Sequence, residues 1–316
     1  MLNIKSKMFE ESKKSTASEK IIVNIIVFIV VFFIITLAES VIPSVMSNSE
    51  LNQRFIAEGL IENRDMKRMI EISMEVNMQP KYFITTLLCT AFGTLISIIY
   101  CRFIEARYIR SMGVRREKAG IHYLQGLVVG IILMTSIVLL SLLFGINSIS
   151  LCQNINFGLI GLYFIGFLVQ GMSEEFIFRG YLMTTIGARH KPIIAIVISA
   201  VGFSLAHITN PGFSPLVFFN LALFGAFASV YMIYFDDIWG VCAIHSIWNF
   251  TQGSVYGISV SGSGNTESVF RTSAVSSSVL LTGGDFGIEG SIITTLVLGT
   301  GTAVILYKMS RQKAIS

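Results

Sequence analysis

The chain has little charge and few cysteines for its length. Only 13% of its 316 residues are charged, whereas a soluble domain usually has about 25%. The four cysteines, Cys89, Cys101, Cys152 and Cys242, form no CxxC pair, which argues against a disulfide framework or a cysteine-held zinc site. Hydrophobic residues make up 53% of the chain. This composition is typical of a helical membrane protein and not of a soluble domain.

Long uncharged runs are the dominant feature of the sequence. No Asp, Glu, Lys or Arg occurs in 119–173 or in 192–235. Polar residues divide the first run, and the proline and glycine of "TNPGFSP" predict a turn in the second. Each run is therefore long enough for two spans. The breaks in the two runs are at 145–156 and 209–215. Four further apolar stretches lie at 21–38, 82–101, 238–257 and 290–307. Together these segments predict an all-α membrane helix bundle with about eight transmembrane helices.

Basic residues cluster at the ends of these runs, which is a pattern of membrane topology. It predicts that both the N-terminus and the C-terminus are cytoplasmic, although the connector at 47–80 also carries basic residues. The net charge of +4 does not indicate a nucleic-acid partner, because the basic residues cluster at the ends of apolar runs, as membrane topology signals do. The predicted organisation begins with a cytoplasmic basic tail at 1–20. Spans one to three follow at 21–155, with the amphipathic connector at 47–80 between the first two. A core of spans four to eight occupies 156–309, and a cytoplasmic tail occupies 310–316.

A few ionisable or amide side chains lie inside the predicted core spans. Such groups are costly in hydrocarbon and usually face a protein interior or a water-filled cavity, where they mark function. They are Glu174, Glu175, Arg179, His207, His245 and Asn249.

Helix geometry predicts that these groups meet. At 1.5 Å per residue, Glu174 and His207 both lie about 20–24 Å from the turn at 187–191. His245 and Asn249 share one helix face because they are four residues apart, and they lie about 12–18 Å along span seven. We therefore expect three helices to form the walls of one cavity.

The residue types allow more than one chemistry. Glutamate can act as a general base on water, and a histidine with an amide can stabilise an oxyanion. The same side chains could instead ligate a divalent metal. A structural interpretation is also open, since Glu175 and Arg179 are four residues apart and can form a buried ion pair. His207 alone could be a core histidine.

Three short motifs resemble a known family. "EEFIFR" at 174–179, "FSLAH" at 203–207 and "HSIWN" at 245–249 have the EExxxR, FxxxH and HxxxN patterns of the CPBP family, the CAAX proteases and bacteriocin-processing intramembrane proteases. The resemblance extends over roughly 100–309, and 1–80 carries no motif of it. It implies an all-helical membrane bundle with a conical cavity that is open towards the cytoplasm and the membrane.

The resemblance also implies a role for each residue. Glu174 would activate water, with His207 holding that water, and Glu175 with Arg179 would support the site. His245 and Asn249 would stabilise the oxyanion. The family is often catalogued as metalloproteases, but a metal-free glutamate mechanism has also been proposed, and the absence of HExxH does not decide between them. A metal, if present, would be zinc or another divalent ion on Glu174, His207 and His245.

We therefore predict an intramembrane endopeptidase that hydrolyses a peptide bond of a membrane-associated peptide or protein with glutamate-activated water. Its predicted partners are that substrate and the lipid bilayer. The composition is rich in lysine, isoleucine and serine, which favours a bacterial plasma membrane and a role in peptide maturation or bacteriocin processing over prenylated substrates. The alternative is a non-catalytic membrane scaffold or bacteriocin immunity protein. A transporter is disfavoured because no inverted repeat is present.

Overall fold

The computed structural model describes residues 6–264 and 266–315. Helices dominate this part of the chain, and two five-residue strands are the only sheet found there, which confirms the predicted helical bundle. In chain order the helices and strands are α1 Lys7–Ser12, α2 Ile21–Ala57, α3 Leu60–Asn63, α4 Met66–Asn77, α5 Pro80–Cys89, α6 Ala91–Ile99, α7 Ala119–Leu143, β1 Asn147–Leu151, α8 Phe157–Glu175, α9 Thr184–Gly187, α10 Pro192–Leu205, α11 Pro215–Phe235, α12 Trp239–Phe250, β2 Phe270–Ala274, α13 Val279–Thr282 and α14 Ile292–Ile315.

Six helical segments in the described residues are long and apolar enough to cross a membrane. The two remaining predicted spans correspond to shorter helices. α10 has 14 residues, and the 12 residues of α12 are followed by a π-helical turn at Thr251–Val255. The count of eight spans and the cytoplasmic side of the termini stay predictions. The segments that meet the criterion are Ile21–Ala57, Pro80–Ile104, Ala119–Leu143, Phe157–Gly187, Pro215–Phe235 and Ile292–Arg311.

The first long helix, α2, extends far beyond the apolar run at 21–38 with which it begins. The run ends at 38, but α2 continues through Pro43 to Ala57, so it includes the first part of the connector at 47–80. The rest of the connector is helical and amphipathic. In α4, Ile72 and Val76 are fully buried, and the Asp65 side chain caps the helix by accepting from the Arg68 amide.

The N-terminal segment is packed against the bundle, which the sequence did not predict. In α1 the side chains of Met8 and Phe9 are 0% and 4% exposed, and the Ser6 hydroxyl donates to Asp236 Oδ1 at 2.7 Å. A Cβ at Gly187 would overlap the Phe9 ring, so this ring fits only because a glycine faces it. Two apolar residues in a lysine-rich stretch are too few for a helix signal, because a single turn has no measurable periodicity.

The bundle has two chemically different ends. At one end the strands pair antiparallel, from Asn147 opposite Ala274 to Leu151 opposite Phe270. We call this the loop end; it also holds α4 and the segments 257–264 and 266–290. The opposite end, which we call the basic end, holds α1 and the segments 102–118, 187–191 and 236–237, together with the last turns of α14.

α8 lies at the centre of the bundle and continues through a π-helical segment, Phe176–Met183, into α9. It packs against α5, α6 and α12, and its continuation packs against α10. Small residues permit the close approach of α8 to α12, since a Cβ at Gly171 would come within 2.6 Å of Ser246 Oγ. The helices that carry the three motifs are thus in direct contact.

Candidate active site

Glu174, His207 and His245 come together from three separate places in the chain. Glu174 is near the end of α8, His207 is in the turn that follows α10, and His245 is in the middle of α12. Oε2 of Glu174 lies 3.9 Å from Nε2 of His207 and 3.8 Å from Nε2 of His245. The side chains are 20%, 13% and 5% exposed, so the group lies in a largely enclosed space.

Both imidazole rings are oriented by a hydrogen bond at their other nitrogen. Nδ1 of His207 donates to the carbonyl of Phe203 at 2.9 Å. Nδ1 of His245 lies 2.8 Å from Oε1 of Glu175. In each case the bond fixes the ring so that Nε2 faces Glu174. A hydrogen bond at one ring nitrogen usually determines whether the other nitrogen carries a proton.

The space between these atoms suits a small third group. Oε2 of Glu174 is buried and has no hydrogen-bond partner among the described residues. At 3.8 and 3.9 Å it is too far from either Nε2 for a direct hydrogen bond. A water oxygen at a hydrogen-bonding distance of about 2.8 Å from Oε2 of Glu174 can also contact a neighbouring Nε2.

The same atoms can be tested as zinc ligands. Tetrahedral zinc with bonds of about 2.0–2.1 Å requires ligand atoms roughly 3.4 Å apart. The observed separations of 3.8 and 3.9 Å are wider. No group of three His, Cys, Asp or Glu side chains in the described residues is arranged to hold a metal ion. The donor types fit zinc, but in this structure their spacing suits a water molecule better.

Behind the site, Glu175 and Arg179 form a fully buried ion pair. Nη1 of Arg179 donates to Oε1 of Glu175 at 3.1 Å, and both side chains are 0% exposed. The guanidinium also lies over the Phe203 ring at 4.5 Å. Since Oε1 of Glu175 also contacts His245, one carboxylate oxygen links the EExxxR motif to the HxxxN motif.

Asn249 reaches Glu174 through a residue that the sequence analysis did not select. Its amide donates to Oε1 of Gln170 at 2.8 Å, and the amide of Gln170 donates in turn to Oε1 of Glu174. The sequence contains a signal for this, because Gln170 is four residues before Glu174 on the same helix face.

A third carboxylate, that of Glu39 in α2, lies near the site. Glu39 is the only charged residue in 21–49. Its Oε1 lies beside Gly93 of α6, where an added Cβ would meet Oε1 at 2.7 Å and also overlap Ser173 Oγ. Ser173 is next to Glu174, so the Glu39 carboxylate lies close to the site. The predicted first span ends at 38, just before Glu39, and the sequence therefore does not predict this carboxylate within the membrane.

Glu289 connects the loop end to the site helix. Its carboxylate is 7% exposed and accepts from Trp248 Nε1 and Gln252 Nε2. It also accepts from the amide and the hydroxyl of Ser261, at 2.8 and 3.0 Å. Trp248 is next to Asn249, so this carboxylate fixes the helix that presents His245 and Asn249.

Comparison with known families agrees with the geometry. Residues 156–251 match the family described as type II CAAX prenyl endopeptidase Rce1-like. The matched segment carries all three motifs. The match covers less than a third of the chain and includes α8, α10, α11 and α12. Comparisons with curated proteins and with solved structures gave no match.

The Rce1-like match and the apolar helices support two statements about the chain. It is a multi-pass membrane protein, and its residues 156–251 match a family of CAAX-type endopeptidases. The predicted resemblance is confirmed over these residues.

Proposed function

We propose that this protein is an intramembrane endopeptidase in which Glu174 activates a water molecule for attack on a peptide bond. The proposal rests on the convergence of His207 and His245 on Oε2 of Glu174, which is buried and has no hydrogen-bond partner among the described residues. The EExxxR, FxxxH and HxxxN motifs supply one of these groups each, from three different helical segments.

In the first step Glu174 acts as general base. A water held by Oε2 of Glu174 and Nε2 of His207 transfers one proton to the carboxylate while its oxygen attacks the peptide carbonyl carbon. The proton on Glu174 then passes to the peptide nitrogen as the carbon–nitrogen bond breaks. The products are a carboxylic acid and an amine, and Glu174 returns to its ionised form.

His245 and Asn249 would stabilise the negative oxygen of the tetrahedral intermediate. The Glu175 carboxylate behind His245 stabilises an imidazolium, whose Nε2 proton would then be donated to the oxyanion. The Asn249 amide has a second N–H besides the one that is donated to Gln170. Donors that are fixed before the reaction typically contribute about 10²–10³-fold to the rate.

If a divalent metal is present, the same three side chains would hold it. Glu174, His207 and His245 supply oxygen and nitrogen ligands of the kind found in catalytic zinc sites, where the ion polarises bound water. His207 and His245 both have the hydrogen-bonded Nδ1 that metal-binding histidines usually show. Elemental analysis of the purified protein, with an inactivation and rescue test using a chelator and zinc, distinguishes the two forms of the site.

The proposed substrate is a membrane-associated peptide or protein at the bacterial plasma membrane. The family description refers to prenyl endopeptidases, so a prenylated C-terminus is one candidate class. The composition of the chain favours an unprenylated precursor peptide, in peptide maturation or in bacteriocin processing. Both classes present an extended chain to a membrane enzyme.

The decisive experiment compares the peptides released by host cells that express wild-type protein with those from Glu174→Gln cells, by mass spectrometry. The amide of glutamine has nearly the same shape as the carboxylate but cannot accept the proton. We expect at least one peptide to appear only with the wild type, and its ends identify the cleaved bond.

Equal amounts of both proteins in the membrane fraction are the control. Identical peptide profiles at equal expression would contradict the proposal. Protection of host cells by the Glu174→Gln protein would then favour the non-catalytic scaffold or immunity function.

A further inference from the structure

A groove on the outside of the bundle, away from the candidate active site, has a cavity volume of 640 Å³. α7 and α14 form its walls and α11 forms its floor, and each helix contributes one stripe of side chains at helical spacing. The groove-lining stripes are Ile121, Leu124, Gln125, Val128, Val129 and Leu133 on α7; Phe227, Tyr231, Tyr234 and Phe235 on α11; and Gly301, Val304, Ile305 and Lys308 on α14.

The groove has a closed end and an open end. At the closed end Gly301 is level with Leu133 and Phe227, because a Cβ at Gly301 would lie 3.5 Å from Leu133 Cδ2 and 3.2 Å from Phe227 Cε2. At the open end, by the basic end of the bundle, lie Ile121 and Lys308. The α7 wall from Ile121 to Leu133 is about 18 Å long, which is close to half of the ~30 Å hydrocarbon core of a bilayer.

The walls face the bilayer. Ile121, Leu124 and Val128 are 57%, 63% and 55% exposed, and Val304 on the opposite wall is 48% exposed. In a membrane protein these side chains contact lipid, so the groove is open along its length to acyl chains. Its length and apolar walls fit an acyl chain from a single leaflet.

The open end carries positive charge. Lys308 is the one charged residue among those that line the groove. α7 begins at the same end of the groove without a side-chain cap, and the amides of Gly120 and Ile121 have no backbone partner within the described part of the chain. Uncapped helix N-termini bind anions, and the surroundings of Gly120 are open. The Asp237 carboxylate is 2% exposed, does not line the groove, and contacts His122.

We propose that this groove binds one anionic phospholipid, with an acyl chain between α7 and α14. Its phosphate would lie between Lys308 and the N-terminus of α7. The length of the groove, its apolar walls and the positive charge at one end all favour this occupant. The proposal does not depend on the peptidase function.

The test uses the full-length protein in phosphatidylcholine nanodiscs and two photoreactive lipids with a diazirine at the end of one acyl chain. One lipid has a phosphatidylglycerol headgroup and the other a phosphatidylcholine headgroup. We expect cross-links of the phosphatidylglycerol probe to map near Leu133 and Gly301. Labelling there by the phosphatidylcholine probe should be about fivefold weaker, because one cation near the surface contributes about that factor to anionic lipid binding.

Matched variants test the two halves of the groove. Lys308→Gln should reduce labelling by the phosphatidylglycerol probe about fivefold, whereas Arg102→Gln should not, because Arg102 is an exposed cation at the same end but outside the groove. Gly301→Phe should abolish labelling at Leu133 by filling the closed end. Gly299→Phe is its control, since a Cβ at Gly299 would meet open space.

Equal labelling by the two probes would overturn the proposal, as would cross-links spread evenly around the bundle or an unchanged signal in Lys308→Gln. If Gly301→Phe fails to fold, the headgroup comparison and Lys308→Gln still decide. The headgroup comparison uses the wild-type protein, and Lys308→Gln does not alter the packed core.

Discussion

Two arginines, Arg107 and Arg179, are fully buried among the residues that the structure describes, and their surroundings differ. Arg107, at the basic end, is surrounded by partners: Nε donates to Glu105 at 2.6 Å, and Nη1 donates to Thr184 at 2.7 Å. Its remaining hydrogens also find acceptors, among them Ser12, Ser111, Thr185, Cys101 Sγ and the carbonyl of Tyr181. This network joins α1, the segment after α6, the π-helical segment Phe176–Met183 and α9.

Arg179, beside the candidate active site, has far fewer partners. It donates from Nη1 to Glu175, and its face lies on Phe203. In the described residues Nε and Nη2 of Arg179 have no partner, and neither do Oε2 of Glu174 and Oε2 of Glu175. Buried polar atoms are normally satisfied. The comparison indicates that the first network holds the fold together, whereas the second leaves atoms that a water, a metal or a substrate can contact.

The largest expected effect comes from removing the proton acceptor of the second network. Glu174→Gln should lower the rate of substrate cleavage by about 10²–10⁴-fold, the usual contribution of a general base. Thermal unfolding in detergent should change little, because Oε2 of Glu174 has no partner to lose within the described residues. A variant that cuts the identified substrate at the wild-type rate would show that Glu174 is not the base.

Breaking the first network should act on stability instead. Arg107→Met leaves the Glu105 carboxylate buried without its partner, and such losses typically cost about 3–5 kcal/mol. Arg110→Met is the matched control, because its pair with Glu117 is exposed, at 56% and 68%, and should be worth about 0–1 kcal/mol. Unfolding by denaturant measures both.

The fraction of Arg107→Met protein that remains folded should cleave substrate at the wild-type rate per molecule. A loss of turnover in fully folded protein would mean that the two networks are coupled and that the comparison does not separate structure from function.

A smaller effect is expected where α2 and α6 approach the site. A Cβ in Gly93→Ala would meet Glu39 Oε1 at 2.7 Å and Ile177 Cδ1 at 2.8 Å, so neighbouring groups must move. Such overpacking typically costs about 1–3 kcal/mol. Gly161→Ala, on the exposed side of α8, is the control; a Cβ there meets nothing within 4 Å and should stabilise the helix by up to about 1 kcal/mol. If both variants unfold alike, Glu39 does not pack closely at Gly93.

Much of this arrangement could be predicted from the sequence because the position of a residue along a membrane helix follows directly from its number. Uncharged runs fixed the helices, and a constant rise per residue placed Glu174 and His207 at one depth. His245 was also expected to line the same cavity. The contacts of 3.8 and 3.9 Å that join these side chains agree with that expectation. Their chemical roles stay predictions.

The parts that escaped prediction depend on contacts between distant segments. Arg107 belongs to a basic stretch that we interpreted only as a topology signal, yet it is 1% exposed. Gln170 and Glu39 gain their meaning from Asn249 and Gly93, which lie on other helices. Burial of α1 likewise depends on the surface that it covers. Periodicity within one helix carries no information about such partners.

The smallest expected effect concerns a third arginine network, on the surface at the loop end. Arg68 contacts Glu58, Glu71 and Glu75 at 3.0, 3.2 and 3.3 Å, but its side chain is 36% exposed. Water therefore screens the pairs, and Arg68→Met should lower the denaturant midpoint of unfolding only slightly. At about 1 M salt, where the screening length is about 3 Å, this loss should disappear, whereas the loss in Arg107→Met should persist because salt does not reach its partners. Denaturant unfolding at low and high salt measures the stability loss in each variant. A loss in Arg68→Met that does not change with salt would show that its ion pairs are shielded from solvent, as those of Arg107 are.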